Sequence, residues 1–278
     1  SAALTEDLLK EAAARYERGY DEEYAGFGRA PKFPRSHVLS LILRVWKRTH
    51  EAKLLDIVEK TLDAMSRGGM YDQLGGGFHR YSVDPQWRIP HFEKMLYDQA
   101  ILVETYLEAY QITQKKNYAE TARETLDYVL SKMTDKEGGF YSAEDADSLD
   151  PVTKDHKREG AFYVWRKDEI EKALPAKDAE IFCRYYGIAE NGNALSDPQQ
   201  EFVRQNVLYI SDRALSDVER ASIERSRKIL FPIREQKPAP HLDDKILTDW
   251  NGLMISAFAS AALVLGDKRY EEAATQAA

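Results

Sequence analysis

The chain has 278 residues, of which 43% are hydrophobic and 31% charged, and its formal net charge at pH 7 is −8. These proportions are typical of a soluble globular protein. The acidic balance, together with the lack of a basic tract with interleaved aromatic residues, argues against a nucleic acid as partner. A membrane partner is not expected either, because the longest apolar run, residues 253–265, is too short to cross a bilayer.

The single cysteine gives a second constraint. Cys183 cannot form an intramolecular disulfide, so we expect a reducing, cytoplasmic compartment. Its neighbours in IFCRYYG are largely apolar, which favours a position in the core over a role as nucleophile. We expect no signal peptide at the start of the chain, where SAA is typical of a cloning remnant.

Three helices are predicted before the first glycine-rich segment. Residues 4–20 carry apolar side chains at helical spacing, with acidic residues early and arginines later. Residues 24–34 combine glycines, prolines and aromatic residues, which predicts a loop. A strongly apolar helix follows at 38–46, and a third helix ends at Gly68, where Gly68 and Gly69 predict a helix stop with positive φ.

The next segment, residues 68–98, reads GGMYDQLGGGFHRYSVDPQWRIPHFEKMLYD. Because loops seldom concentrate so many polar and aromatic side chains beside glycines, we predict one wall of a polar pocket at the mouth of a helical barrel. The glycine triplet lacks the GxxxxGK[ST] spacing of a phosphate-binding loop, and no strand precedes it. Pro90 favours a helix start, which would place His91 and Glu93 in the first turn of the next helix.

Two helical hairpins are predicted around a different middle region. Residues 92–110 are apolar on more than one face and residues 118–133 on only one, which predicts an inner and an outer helix. The pattern recurs in residues 250–265, which carry no charge, and in the helix that begins at residue 269. The chain is therefore predicted to be all-α, an (α/α) toroid of helical hairpins with small β-hairpin elements in its rim loops. About eight barrel-type helices are predicted where a full six-hairpin barrel needs twelve, so we expect an incomplete toroid.

The middle region, residues 138–240, is predicted to elaborate one rim of a single domain, residues 1–278, and not to form a second domain. Its acidic turn, residues 138–147, is expected to pair with the strand-like EGAFYVW as a hairpin. Short helices are predicted at 167–173 and 178–186, followed by a polar loop at 191–205. A short strand at 207–210 and a charged helix at 212–230 complete this region.

Several motifs carry a resemblance to a known family. GGMYDQLGGGFHRYSVDPQWRIPHFEKMLYDQA, GGFYSAEDADS, EGAFYVW, DDKILTDWNGLM and APKFP are similar to the spermatogenesis-associated, thioredoxin-domain-containing proteins. The resemblance implies a toroid of the six-hairpin glycosidase type, preceded in the full-length protein by a thioredoxin-like domain as partner. That domain and any CxxC motif are absent from this chain.

A wider resemblance is to the N-acylglucosamine 2-epimerases and related sugar isomerases. PHFEKML followed by TYLEAYQITQKKNY is similar in layout to the helix after the catalytic loop of those enzymes. That family tends to carry a histidine near the position of Glu93. This departure puts epimerase chemistry in doubt for the present chain.

Three functions remain open at this stage. A glycosidase-like, carbohydrate-active enzyme needs two carboxyl groups across a pocket, one protonated and one ionised. An isomerase or epimerase would use His79 or His91 as base, with Arg80 or Arg88 steadying the developing charge. A non-catalytic domain would bind sugar, peptide or a partner through its tryptophans. We expect a carbohydrate or other small polar ligand in each enzymatic case.

The candidate catalytic residues are Asp72, His91, Glu93, Glu144, Asp145 and Asp249. The candidate substrate-binding residues are Tyr71, His79, Arg80, Tyr81, Trp87, Arg88, Asp98, Trp165, Trp250 and Asn251. Clustering of Glu144, Asp145 and Asp147 would raise one pKa, as an acid catalyst requires, but would equally suit a Ca²⁺ site or a solvated loop. Neither a metal nor a cofactor is predicted.

Overall fold

The computed structural model of the protein describes residues 6–194, 202–211 and 215–278. Parts of the predicted helix at 4–20, the loop at 191–205 and the helix at 212–230 lie outside these residues. The helices of the described part are α1 (Glu6–Arg18), α2 (Ser36–Thr49), α3 (Ala52–Arg67), α4 (Leu96–Thr113), α5 (Lys116–Lys132), α6 (Lys167–Ala173), α7 (Ala176–Tyr185), α8 (Asp217–Arg234), α9 (Thr248–Leu265) and α10 (Lys268–Ala277).

Three helical hairpins, α2–α3, α4–α5 and α9–α10, form an arc, and α1 packs beside α2. Helix α4 lies in the middle, where it packs against α2, α5 and α9. This position explains why α4 is apolar on several faces, with Leu96, Val103 and Leu107 all buried. Helix α5 has a one-sided stripe because it packs on the outside of α4. The prediction of inner and outer helices in an (α/α) toroid is confirmed.

Short strands connect the segments between the hairpins. The strands are β1 (Tyr81–Ser82), β2 (Pro90–His91), β3 (Lys94–Met95), β4 (Ala143–Glu144), β5 (Asp147–Leu149), β6 (Lys157–Glu159) and β7 (Leu242–Asp243). The antiparallel sheet β3–β4–β7 joins three distant parts of the chain, with Lys94 opposite Glu144 and Ala143 opposite Asp243. It lies at the N-terminal end of α4, which directly follows β3.

The helix start predicted at Pro90 is wrong. Residues 90–91 form β2, residues 94–95 form β3, and α4 begins only at Leu96. The extended conformation is favoured over a helix here because the backbone of this segment pairs on two sides. Arg80 donates its N–H to the carbonyl of Glu93 at 2.8 Å, and β3 pairs with β4. His91 and Glu93 therefore lie on extended backbone and not in a helical turn.

Two further predictions of extended structure need correction. The hairpin of the middle region pairs β5 with β6, whereas residues 161–163 of EGAFYVW form a turn. Residues 207–210 form no strand, and the nearby pairing is a single bridge between Trp165 and Asn206. The N–H of Ile210 instead donates to the carbonyl of Arg67, at the end of α3.

Helices α6, α7 and α8 form a second apolar cluster. Trp165, Phe182 and Leu230 are fully or almost fully buried in it, and Leu74 brings the glycine-rich segment into the same cluster. Residues 68–98 thus pack against the helical arc on one side and against the middle region on the other. This double packing fixes the segment that carries most candidate residues.

Gly68 and Gly69 are needed for close approach and not for a left-handed turn. Gly68 has φ −68°, so the predicted positive φ is wrong. A Cβ atom on Gly68 would lie 2.1 Å from the carbonyl oxygen of Trp87, and one on Gly69 would lie 1.9 Å from that of Arg88. The end of α3 therefore packs directly on the backbone of residues 87–88.

We predict that Gly68→Ala destabilises the protein by about 2 kcal/mol or more, because the added methyl group must displace backbone atoms. Gly252→Ala is a matched control, since nothing lies within 4 Å of a Cβ at this exposed position in α9. The control should stabilise the protein by about 0.5–1 kcal/mol. Urea denaturation measures both changes, and equal stability of the two variants would contradict the close packing of Gly68.

Candidate functional site

Four side chains form a connected group, Asp98 lies within electrostatic range of two of them, and the five are here called the rim cluster: Arg80, His91, Glu93, Asp98 and Glu159. An Nη atom of Arg80 lies 2.7 Å from Oε2 of Glu93. The His91 ring lies between two carboxylates, with Nδ1 at 2.7 Å from Glu159 and Nε2 at 3.5 Å from Glu93. The side chains of Arg80, His91, Glu93 and Glu159 remain 25–40% exposed, so a ligand can reach them.

Short strands bring these groups together. β1 and β2 pair so that Tyr81 lies opposite His91, and their rings stack at a centroid distance of 4.9 Å. β5 and β6 bring Glu159 from a remote part of the chain, and its carboxylate also accepts a hydrogen bond from the N–H of Phe92. The hydrogen bond from the His91 ring to Glu159 raises the pKa of His91, and burial opposes that shift. The contact with Glu159 therefore favours the protonated imidazole.

Asp98 in the first turn of α4 has an unusual environment. Its Oδ2 atom is buried and has no hydrogen-bond partner in the described part of the chain. Burial raises the pKa of Asp98 to about 7, with Arg80 opposing the shift and Glu93 adding to it. Glu93 and Asp98 thus have different environments, since Glu93 forms an ion pair with Arg80 while burial raises the pKa of Asp98.

Aromatic rings flank the rim cluster on two sides. Phe33, which is 44% exposed, packs on Tyr81 at 4.8 Å. On the other side, Tyr97 contacts Trp250 edge to face at 4.8 Å and lies within electrostatic range of Arg80. Partly exposed rings beside charged groups can stack on a sugar or contact a cation.

Asp72 lies behind this surface in a buried ionic network. Its Oδ1 atom lies 2.6 Å from Arg234, and its Oδ2 atom lies 3.0 Å from Nζ of Lys94. All three side chains are at most 4% exposed. Although burial alone would raise the pKa of Asp72, the two cations hold it well below its usual range. Asp72 is therefore a permanently ionised structural group and does not reach the surface.

Glu144 belongs to the same inner network. Its Oε2 atom accepts hydrogen bonds from the hydroxyl groups of Tyr128 at 2.6 Å and Tyr163 at 3.3 Å. Lys94 lies over the same two rings, at 4.1 and 5.0 Å from their centroids. The predicted cluster of Glu144 with Asp145 and Asp147 is therefore split. Asp145 and Asp147 lie near Glu159 and His91, on the rim side.

His79 and His91 do not share a site. His79 is 1% exposed, and its Nδ1 atom lies 2.9 Å from the carbonyl oxygen of Phe92. Burial lowers its pKa to about 3, and the charge of Lys94 adds to the effect. His79 is therefore a neutral core residue, and the structure places one imidazole, that of His91, in the rim cluster.

Other candidates are packing residues. Trp87 is fully buried, and its Nε1 atom donates to the carbonyl of Tyr24. Trp165 is 1% exposed in the second apolar cluster. Asn251 bridges the N–H and the carbonyl of Phe140, which fixes the turn before β4. These three side chains are therefore not part of the candidate site.

The remaining candidates lie apart from the rim cluster or at its edge. Tyr71 donates to Glu124 at 2.6 Å, and both line a separate cavity of about 740 Å³ among α3, α5 and α8. Arg88 lies over the ring of Tyr209. Asp249 is exposed at the start of α9, where its carboxylate accepts the N–H of Trp250. Asp249 thus acts at the helix start, and only the ring of Trp250 reaches toward the cluster.

Several residues of the site were missed by sequence reasoning. Glu159 lies in the motif EGAFYVW, which predicts a strand, and Lys94 lies in the segment that predicts a helix start. The strands that position them are two or three residues long, which is too short for an alternating pattern to be recognised.

Within the residues that the structure describes, no group of three or more His, Cys, Asp or Glu side chains could hold a metal ion. No helix there has the length and apolar character needed to cross a membrane.

The protonation state of Asp98 can be tested by measuring the stability of the protein as a function of pH. Its pKa is raised from 3.8 to about 7 on folding, so its stabilising contribution is complete below pH 3.8 and is lost as pH rises toward 7. Asp98→Asn stays neutral at every pH. The free energy of unfolding of Asp98→Asn, relative to that of the unmodified protein, should therefore increase between pH 4 and 7. The increase should be on the order of 3 kcal/mol and should level off above pH 7. A constant difference across that range, measured by thermal unfolding, would show that Asp98 is not held protonated.

The buried network gives a second stability prediction. Asp72→Asn removes the carboxylate that Lys94 and Arg234 share, and should destabilise the protein by about 3–5 kcal/mol. Asp249→Asn removes an exposed carboxylate from a helix start and should cost less than about 1 kcal/mol. Chemical denaturation of both variants provides the comparison. Similar losses in the two variants would mean that the Asp72 network is hydrated.

Comparison with known proteins adds family information. The chain is 40% identical to human spermatogenesis-associated protein 20 over 94% of its own length, but it spans only 36% of that protein. Among solved structures, it is similar to a glycoside hydrolase family 76 mannosidase from Bacteroides thetaiotaomicron, with 12% identity and a TM-score of 0.49 over 88% of this chain and 43% of that chain. A cellobiose 2-epimerase from Spirochaeta thermophila matches 98% of this chain and 84% of its own, with 14% identity and a TM-score of 0.44.

The resemblance that the motifs carry is thus confirmed by the relatives. A family model described as Glycosyl Hydrolase Family 88 matches residues 9–153. The matched residues include β1 to β4 and therefore Arg80, His91, Glu93 and Asp98 of the rim cluster. Because the match covers more than half of the 278 residues, the chain belongs to Glycosyl Hydrolase Family 88.

Proposed function

We propose that the rim cluster hydrolyses a glycosidic bond. The observation that carries this proposal is a pair of carboxyl groups in different environments, Glu93 in an ion pair with Arg80 and Asp98 with a pKa raised by burial to about 7. Glycosidases need one carboxylic acid that keeps its proton near neutral pH and one carboxylate that stays ionised. Membership of a glycosyl hydrolase family supports the same chemistry.

The roles follow from the environments. Asp98 would give its proton to the glycosidic oxygen as the bond to the anomeric carbon breaks. Glu93 would take a proton from the water that adds to that carbon, and exchange with solvent would then restore both groups. Arg80 forms an ion pair with Glu93, and His91 with its hydrogen-bonded partner Glu159 would orient hydroxyl groups of the sugar. The flanking rings would support the sugar faces.

The isomerase alternative has less support. Sugar isomerisation through paired imidazoles would need a second histidine near His91, but His79 is buried, neutral and directed at the carbonyl of Phe92. The position of His91 beside Glu159 would still allow a single base. A binding role alone would not explain why Asp98 is held near its protonated state.

A further proposal concerns the domain organisation of the full-length protein. The curated relatives are longer than this chain, which spans 36% of human spermatogenesis-associated protein 20. A thioredoxin-like domain is the neighbouring module that the motif resemblance implies. We propose that residues 138–240 elaborate one rim of the toroid and belong to the same domain.

We predict that Glu93→Gln lowers the hydrolysis of a panel of aryl glycosides at least about 100-fold, since it removes the proton acceptor. Hydrolysis by the unmodified protein should decline above pH 7 as Asp98 loses its proton. Glu120→Gln is the control, because Glu120 is exposed on α5 and far along the chain from the rim cluster. Initial rates across pH 4–9 provide both readouts.

The proposal fails if Glu93→Gln keeps the rate of the control, or if no glycoside of the panel is cleaved by the unmodified protein. A rate that is independent of pH between 6 and 8 would remove Asp98 from the acid role while leaving Glu93 to be judged by its own variant.

A further inference from the structure

The cavity among α3, α5 and α8 has no part in the proposed function. Its volume of about 740 Å³ is large enough for a small metabolite, and none of the five rim-cluster residues lines it. It lies where two parts of the fold meet, since α3 and α5 belong to the helical arc and α8 to the middle region. Tyr71 and Gln73 bring the glycine-rich segment to its wall. The cavity is therefore a separate place at which a ligand could be held.

Arg67, the last residue of α3, is the feature that points to a ligand. It lines the cavity, yet its guanidinium forms no hydrogen bond and no ion pair within the described ranges, and its Nη1 atom is buried. Asp63, one turn earlier on α3, is not its partner and instead accepts the amide of Asn117 at 3.4 Å. A positive charge withdrawn from water usually has a partner, because its desolvation is otherwise uncompensated. An anion in the cavity would supply that partner.

A second cation without a counter-ion lines the same cavity. Arg220 is exposed in the first turn of α8 and forms no ion pair in the part of the chain that the structure describes. Arg227, two turns further along α8, differs because its guanidinium lies 2.9 Å from the carboxylate of Glu124, which also accepts the hydroxyl of Tyr71. Two guanidinium groups, those of Arg67 and Arg220, are thus available to a ligand.

The buried part of the cavity wall adds a hydroxyl group. Tyr186 is 2% exposed and lies within electrostatic range of Arg227, and its hydroxyl makes no hydrogen bond to any described residue. The acidic residues Glu120 and Glu224 also line the cavity, but both are exposed. Hydrogen-bond donors without acceptors are therefore found in the wall, whereas these two carboxylates remain in contact with solvent.

We propose that this cavity binds a phosphate monoester, whose phosphoryl group contacts Arg67 and Arg220 and accepts a hydrogen bond from Tyr186. A monoester carries close to two negative charges above its second pKa of about 6, which matches two guanidinium groups. The planar fork of each guanidinium also fits the phosphoryl oxygen atoms. A carboxylate would neutralise only one of the two arginines. The inference does not depend on the proposed function, because the rim cluster takes no part in this cavity.

The test compares two esters with their neutral parents, glucose 6-phosphate with glucose and AMP with adenosine, and uses inorganic phosphate as a further probe. Calorimetric titration of the full chain at pH 7.5 and low ionic strength measures the affinities. At least one ester should bind about tenfold more tightly than its parent. Its affinity should fall about threefold at pH 5, where the ester has lost most of its second charge. The ester that binds shows whether the cavity takes a sugar or a nucleotide.

Arg67→Gln and Arg220→Gln should each weaken ester binding at least about fivefold, because each removes one of the two cations. Lys228→Gln is the matched control, since it removes the same charge from an exposed position of α8 that does not line the cavity. The control should change the affinity less than about twofold, because solvent and salt screen its charge.

Thermal unfolding separates ligand binding from a role in the fold. Without ester, Arg67→Gln should unfold at the same temperature as the unmodified protein or at a higher one, because Arg67 has no partner to lose among the described residues. A saturating ester should raise the unfolding temperature of the unmodified protein and leave that of Arg67→Gln unchanged. If Arg67→Gln does not fold, Arg220→Gln decides the same point from an exposed position.

The inference is overturned if neither ester binds more tightly than its neutral parent, or if inorganic phosphate alone binds. Equal ester affinities of Arg67→Gln, Arg220→Gln and Lys228→Gln would also overturn it, because the anion would then lie elsewhere. Glu93→Gln alters the rim cluster and should leave ester affinity unchanged. A loss of ester binding in that variant would place the ester at the rim and refute the cavity as its site.

Discussion

Two buried cations, Lys94 and Arg234, meet on the carboxylate of Asp72, and the position of the whole site depends on this contact. Arg234 is at the end of α8, 162 residues from Asp72 in the chain. Lys94 is on β3, one residue after Glu93. Such an ionic group is stable only when it is complete, because each isolated charge would be costly in the interior. It therefore fixes the glycine-rich segment against α8 in a single arrangement.

Alternation along the short strands separates structural charges from the groups that a ligand can reach. Successive side chains of a strand face opposite sides, so Lys94 points into the core while its neighbour Glu93 lies at the rim. The same alternation directs Glu144 to the hydroxyl groups of Tyr128 and leaves Asp145 outside. The small sheet thus supplies Lys94 and Glu144 of the inner network, and Glu93 of the rim cluster directly precedes its strand β3.

The helical part of the fold could be predicted because its signals are long. Helices such as α4 and α5 show several turns of apolar spacing, and their pairing follows from a short connection. The strands of the site span two or three residues, so pairing across the chain decides their structure and local pattern does not. Sequence reasoning recognised Arg80, His91 and Glu93 as chemically interesting. It could not tell that Trp87 would be buried, since burial depends on the partner of each ring.

The β5–β6 hairpin has a consequence for how such a surface can diversify. Its base contains Asp147 and Glu159, and the ion pair of Asp150 with Arg158 closes it above that base. Residues 152–156 beyond this pair are exposed. Lengthening or recombining this tip would alter what overhangs the rim while leaving the carboxylates at its base in register. The hairpin is therefore a natural place at which descendants of one ancestor could acquire different preferences, and at which a reporter dye could be attached.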